Sequence, residues 1–193
     1  MSQEFRIAIF ASGGGTNAEA IIRHFKDHPL IKVALVLSNN PNALVLERTK
    51  KFAIPTRVFN KNEFEQVAYS LKEYKITHIV LAGFLWLIPT SLIKAFPNRI
   101  INIHPALLPK FGGKGMYGMK IHELVRTLNE TETGITIHVI NEKYDEGPIL
   151  FQGRCEVSGT DSPQDIANKV HQLEYAHYPV IIEKWILGTL MRK

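Results

Sequence analysis

Cysteine is almost absent: Cys155 stands alone in 193 residues. An intrachain disulfide framework is therefore excluded, and so is a thiolate zinc cage. No apolar run approaches the ~18 residues that a membrane helix needs; the longest are short segments such as Val33–Leu37 and Ile79–Ala82. The N-terminus, MSQEFRIAIF, has no basic leader and no small-residue cleavage site, so no secretory signal and a cytoplasmic location are expected. Repeats and low-complexity tracts are missing. Charge of one sign is also scarce: 23 Lys and Arg against 18 Asp and Glu leave a net +5. The basic residues are scattered, with small clusters only at Thr49-Lys50-Lys51 and Arg192-Lys193. Nucleic-acid binders gather such an excess on one stripe. Neither a nucleic-acid partner nor a membrane is expected, and the mild surplus suits a small anionic substrate.

Several catalytic signatures are missing too. No pair of histidines has the H-E-x-x-H spacing, and no His/Asp/Glu cluster resembles a metal site, so no metal is expected. No Lys-Ser/Thr follows the glycine cluster, which excludes a Walker loop. Ser12-Gly13-Gly14 lacks the G-x-S-x-G elbow of the serine hydrolases. What is present is ordinary globular composition, 45% hydrophobic and 21% charged. The length suits a single domain able to bury roughly 70% of its unfolded surface.

The apolar pattern alternates strands and helices. Strands are predicted at Arg6–Phe10, Lys32–Leu37, Thr56–Val58, Thr77–Leu81 and Arg99–Ile103. Helices are predicted between them at Thr16–Lys26, Ala43–Phe52 and Lys61–Tyr74. Thr16 and Glu19 have the form of a capping box. Strands apolar on both faces and joined through helices imply a parallel sheet covered on both sides. The stretch Pro105–Gly118 then has four glycines and no periodicity, the mark of a functional loop. A helix at Met119–Leu128 and a strand pair at Gly134–Ile140 and Ile149–Val157 follow. A long helix starts at Ser162-Pro163, with Asp165 completing its start signal, and runs to about Leu187 past a kink at Pro179. The expected fold is α/β: a Rossmann-like open, mostly parallel twisted sheet with helices on both faces and an antiparallel extension in the C-terminal half. The whole chain, 1–193, reads as one domain. Its first half, about 1–103, holds the nucleotide or phosphate, and its second, about 104–193, carries the remaining chemistry.

Three places can carry chemistry. Gly13-Gly14-Gly15-Thr16-Asn17 joins a strand to a helix, where free backbone N–H groups and the helix dipole both favour an anion. The segment fits G-x-G-x-x-A, but strand two ends Ser38-Asn39-Asn40 without the carboxylate that a dinucleotide ribose requires. A single phosphate remains, unless the glycines only shape a turn. Asn102 and His104 close a buried strand and point to the same side. An amide and an imidazole so placed can stabilise an oxyanion or move a proton; the alternative is a satisfied core histidine. Asp145, in Tyr144-Asp145-Glu146-Gly147, is either a turn former or a carboxylate that raises the pKa of His104. His138 sits mid-strand and can face the same cleft. His122 follows the glycine loop. His24, His28 and His78 read as surface residues, and Cys155 as an inert strand thiol. His171, Glu174 and Tyr178 share a face of the last helix, where Glu174 binds an amine or is simply a solvated carboxylate.

Four blocks in this order, Ala11–Asn17, Leu81-Ala82-Gly83-Phe84, Asn102–Pro109 and Asp145–Ile149, resemble the motif set of the phosphoribosylglycinamide formyltransferase family. The wider group is the 10-formyltetrahydrofolate-dependent formyltransferases. The resemblance spans nearly the whole chain. It implies that Gly15, Thr16 and Asn17 hold the phosphate of glycinamide ribonucleotide and that Glu174 binds its amine. It implies a folate pocket formed by Leu85, Trp86, Leu87, Ile88, Asn102 and Asn141, Glu142, Lys143, Tyr144 and Asp145. Asn102, His104 and Asp145 are the implied catalytic trio, with 10-formyltetrahydrofolate as co-substrate, no metal and a monomer or homodimer. Asn102 and protonated His104 would stabilise the oxyanion formed by direct attack. Trp86 stands where many members have Arg, and the Phe111–Gly118 loop is unusual. Other formyltetrahydrofolate enzymes, a deformylase among them, and a non-catalytic phosphate-binding module are the competing readings.

Overall fold

The computed structural model describes residues 4–190, so the basic pair Arg192-Lys193 lies outside it. Among the described residues seven strands form one sheet in the order β3-β2-β1-β4-β5-β6-β7. They are β1 (Phe5–Phe10), β2 (Ile31–Ser38), β3 (Thr56–Val58), β4 (His78–Leu81), β5 (Ile100–His104), β6 (Glu132–Val139) and β7 (Ile149–Glu156). The first five are parallel, and β6 and β7 are added antiparallel. The helices are α1 (Thr16–Phe25), α2 (Leu44–Lys50), α3 (Phe64–Glu73), α4 (Thr90–Ala95), α5 (Met119–Thr127) and α6 (Pro163–Ile186). Strands from both halves of the chain thus share one sheet.

Two apolar layers enclose that sheet. Ile7 and Ile9 of β1 join Val80, Ile101 and the inner faces of α1 and α6. Ala8 and Phe10, on the opposite face, join Leu35, Ile79, Leu92 and the inner side of α3. Alternate residues of one strand feed both cores, which is why the strands read as continuous apolar runs. Strand order reverses between β1 and β4. In open α/β sheets, ligands sit outside the carboxyl ends of the strands at such a point.

Local expectations are corrected in three places. Thr16 and Glu19 form no capping box: Gly15 is the N-cap of α1, with φ 74° and no side-chain cap. The chain enters the helix from the left-handed region, and Glu19 instead pairs with Arg23 at 2.6 Å and Arg48 at 2.7 Å. The helix expected from Lys61 opens as a 3-10 turn, Lys61–Glu63, capped by Asn60. α4 escaped the periodicity because it has six residues and buries only Leu92. By contrast, Ser162 and Asp165 do form the capping box at the start of α6, and the helix continues through Pro179.

The glycine turn depends on its glycine. A Cβ on Gly15 would lie 2.5 Å from Val45 Cβ and 2.6 Å from Val45 Cα, and φ is +74°. Gly15→Ala is expected to lose about 2–5 kcal/mol of stability, combining left-handed strain with overpacking against α2. Urea unfolding checks this, and an unchanged midpoint would show that the turn relaxes freely.

Candidate active site

The loops at the carboxyl ends of β1, β4 and β5 meet in a cavity of about 600 Å³. That is within the usual range for small-molecule sites. The segment after β1, Gly13–Asn17, forms one part of its wall. Carbonyl oxygens of this loop are taken up by α2: Val45 N–H donates to Gly13 at 3.1 Å and Arg48 Nε to Gly14 at 2.8 Å. Its amides and the uncapped N-terminus of α1 are left for an anion.

Asn17 extends this wall toward α6. Its Nδ2 donates to Glu174 Oε2 at 2.9 Å, while its Oδ1 is buried without a partner. Glu174 is only 6% exposed, so the solvated-carboxylate alternative is corrected. α6 turns this face onto the sheet, and the fully buried Tyr178 one turn on donates to Leu81 O at 2.9 Å. Burial pushes the Glu174 carboxyl up, against opposing effects of Asn17 and His171. A raised carboxyl pKa adds stability that is present below the ordinary carboxylate range and lost as pH rises through the folded value. Glu174→Gln is therefore expected to raise Tm by a few degrees at pH 8 and less at pH 5. Melting curves at the two pH values check this, and an equal or reversed difference would contradict it.

A second polar group surrounds the end of β5. His104, 4% exposed, lies with Nδ1 3.6 Å from Asp145 Oδ2. Its Nε2 donates to Phe111 O at 2.8 Å. Asp145 Oδ2 accepts from Gly113 N–H at 2.9 Å, and Asp145 Oδ1 is 3.5 Å from His138 Nε2. Asn102 is paired across the sheet with His138, as His104 is with Thr136. Asn102 and His104 therefore do face one side, and Asp145 reaches them from the β6–β7 connection in a left-handed conformation, φ 57°.

The electrostatics of His104 correct one expectation. Burial pushes its pKa down, outweighing the raising effects of Asp145 and the Phe111 carbonyl; His138 adds to the lowering. Asp145 does favour the imidazolium, but the ring's net shift is downward, which favours the neutral form. Burial also works to raise Asp145, yet contacts with His138 and His104 and the Gly113 N–H together hold its carboxyl below the usual range.

The segment after β4 supplies Leu85, Trp86, Leu87 and Ile88 to the cavity wall, and the β6–β7 connection supplies Lys143, Tyr144 and Asp145. Asn141 and Glu142, on the same connection, stand outside the wall of this cavity. Asn141 turns its Oδ1 back to accept from Lys143 N–H at 2.9 Å, and Glu142 is exposed. Trp86 is packed edge-on against Phe59 and Phe84, with Lys61 Nζ 5.3 Å above its ring. His122 and His171, left unassigned by the sequence, also line the cavity. His122 is pushed down to about 4, chiefly by burial and then by His171, and its Nδ1 is buried without a partner. Only its place after the glycine loop hinted at this. His78 is not a surface residue: it packs against Phe5 and Trp185, and burial, then Arg99, pushes it down to about 4. Cys155 is half-buried, and burial raises its thiol pKa. Among the described residues, no group of three or more His, Cys, Asp or Glu is arranged to hold a metal ion, and no helix is long and apolar enough to cross a membrane.

A glycine turn at an uncapped helix N-terminus and an amide–imidazole–carboxylate group share one switch-point crevice, the place where α/β folds hold small molecules. The chain belongs to the formyl transferase family, which it matches over residues 5–182. It is 37% identical over 191 residues to the phosphoribosylglycinamide formyltransferase of Bacillus subtilis (strain 168), covering 95% of each chain. The chloroplastic phosphoribosylglycinamide formyltransferase of Arabidopsis thaliana is 38% identical over 92% of this chain, which spans 64% of that protein. The crystal structure of phosphoribosylglycinamide formyltransferase from Bacillus halodurans superposes with a TM-score of 0.85 at 37% identity, covering 94% of this chain and 95% of that one.

Proposed function

We propose that the chain transfers the formyl group of 10-formyltetrahydrofolate to the amine of glycinamide ribonucleotide in purine biosynthesis. The products are formylglycinamide ribonucleotide and tetrahydrofolate. One observation carries this reading: a single cavity joins the uncapped N-terminus of α1 to Asn102, His104 and Asp145. Only β4 separates β1 from β5, so the two polar groups stand on strands ~10 Å apart. A phosphate and a reacting amine at the two ends of one small ribonucleotide suit that separation.

Gly15, Thr16 and Asn17 hold the phosphate, and Glu174 meets the polar groups beyond it, the amine included. Leu85, Trp86, Leu87 and Ile88 bind the folate, with Lys143, Tyr144 and Asp145 closing the pocket. The amine attacks the formyl carbon, a new C–N bond forms, and the bond from that carbon to the folate nitrogen breaks. Asn102 and His104 donate N–H groups to the formyl oxygen as negative charge develops there. For His104 this means exchanging the Phe111 carbonyl for substrate. Asp145 fixes the ring and favours its protonated form as the proton lost by the amine moves to the departing nitrogen. We place the enzyme in the cytoplasm as a monomer or homodimer; two plant relatives are named chloroplastic.

The test follows 10-formyltetrahydrofolate by absorbance with and without glycinamide ribonucleotide. Turnover that requires the ribonucleotide is expected. Deformylation in its absence would instead indicate a hydrolase, and ribonucleotide binding without turnover a binding module.

A further inference from the structure

We infer that His138 is a positioning residue for Asn102: its unprotonated Nε2 holds the amide so that an N–H, rather than the carbonyl oxygen, is turned to the formyl oxygen. The inference rests on the role given to Asn102 above.

His138 is fully buried on β6, directly across from Asn102. Its Nδ1 lies 3.2 Å from Val139 O. A carbonyl oxygen can only accept, so Nδ1 carries the proton. In the neutral ring Nε2 is then left with a lone pair. Asn102 Nδ2 stands 3.3 Å from that nitrogen and donates to it. This contact separates the two ends of an amide that are otherwise almost the same shape. One hydrogen of Nδ2 is committed to His138 and the other remains for substrate. With the amide reversed, a carbonyl oxygen would face both the Nε2 lone pair and the developing oxyanion. Asp145 Oδ1, 3.5 Å from Nε2, is the competing partner. A proton on Nε2 would instead be donated to that carboxylate, the arrangement in which His138 lowers the Asp145 carboxyl, and would favour the reversed amide.

His138→Phe keeps a buried ring and removes both nitrogens, whereas His138→Gln restores an acceptor. In His138→Phe, kcat is expected to fall about 10–100-fold, short of the 10²–10³-fold typical of losing an oxyanion donor outright. KM for the ribonucleotide stays within about twofold and His138→Gln recovers most of the rate, because phosphate binding is unaffected and only amide orientation is lost. His138→Phe combined with Asn102→Ala is expected to be no slower than Asn102→Ala alone, since both remove one interaction. Multiplied losses in the double variant, or full kcat in His138→Phe, would overturn the inference. Should His138→Phe fail to fold, ¹⁵N–¹H correlation of the wild-type imidazoles decides instead: a proton on Nδ1 alone supports the inference, and one on Nε2 overturns it. Full activity in Asn102→Ala would remove the role of Asn102 itself, a failure distinct from that of His138.

Discussion

Replacing His104 by alanine is expected to lower kcat for formyl transfer by about 10²–10⁴-fold, the usual contribution of a positioned proton-transfer group. Ribonucleotide affinity should change by less than about twofold. The two effects separate because the groups belong to different strands: His104 closes β5, while the anion loop follows β1 and is braced by α2. The substitution also leaves the Phe111 carbonyl without its donor, so some loosening of the 105–118 loop accompanies the loss. Rapid-quench turnover and calorimetric titration with the ribonucleotide read the two quantities independently. A fall in affinity matching the fall in rate would mean that His104 binds substrate rather than assisting the chemical step.

Asp145→Asn is the second large effect, and it has a signature that a merely structural change does not produce. The Asp145 charge is the largest influence raising the His104 pKa, opposing the burial that lowers it. Removing that charge leaves burial less opposed. The His104 titration midpoint, already below the ordinary histidine value of about 6.5, is expected to move lower still. The imidazolium needed while the proton is in transit becomes harder to form, and kcat should fall by about 10²–10⁴-fold. A histidine NMR titration of both proteins checks the direction. An upward shift, or an unchanged rate, would contradict the role assigned to this carboxylate.

Much of this arrangement is legible in the sequence, for identifiable reasons. β1, β4 and β5 are buried on both faces, so they read as unbroken apolar runs, and the strand alternation places Asn102 and His104 on one side. Ser162 and Asp165 form a local hydrogen-bonded unit that depends on nothing distant. The same local form at Thr16 and Glu19 misleads because the left-handed Gly15, packed on Val45, sets the helix start. α4 is too short for a helical period to register. For Asp145 and Glu174 the residues alone leave a bland alternative open, and only the family resemblance decides for a role: a turn aspartate and a helix glutamate acquire significance only when β6 and α6 carry them into the cavity. The downward shift of His104 is likewise a tertiary effect, since no neighbour in sequence announces the burial that outweighs its carboxylate.

In the proposed reaction one carbon passes directly between two bound small molecules. Formyl-¹³C-labelled 10-formyltetrahydrofolate and glycinamide ribonucleotide, incubated with the protein and followed by ¹³C NMR, report where that carbon goes. Label appearing as a formamide on the ribonucleotide amine, at the rate at which the folate is consumed, is the expected result. Label appearing as free formate, or remaining on the folate, would contradict it.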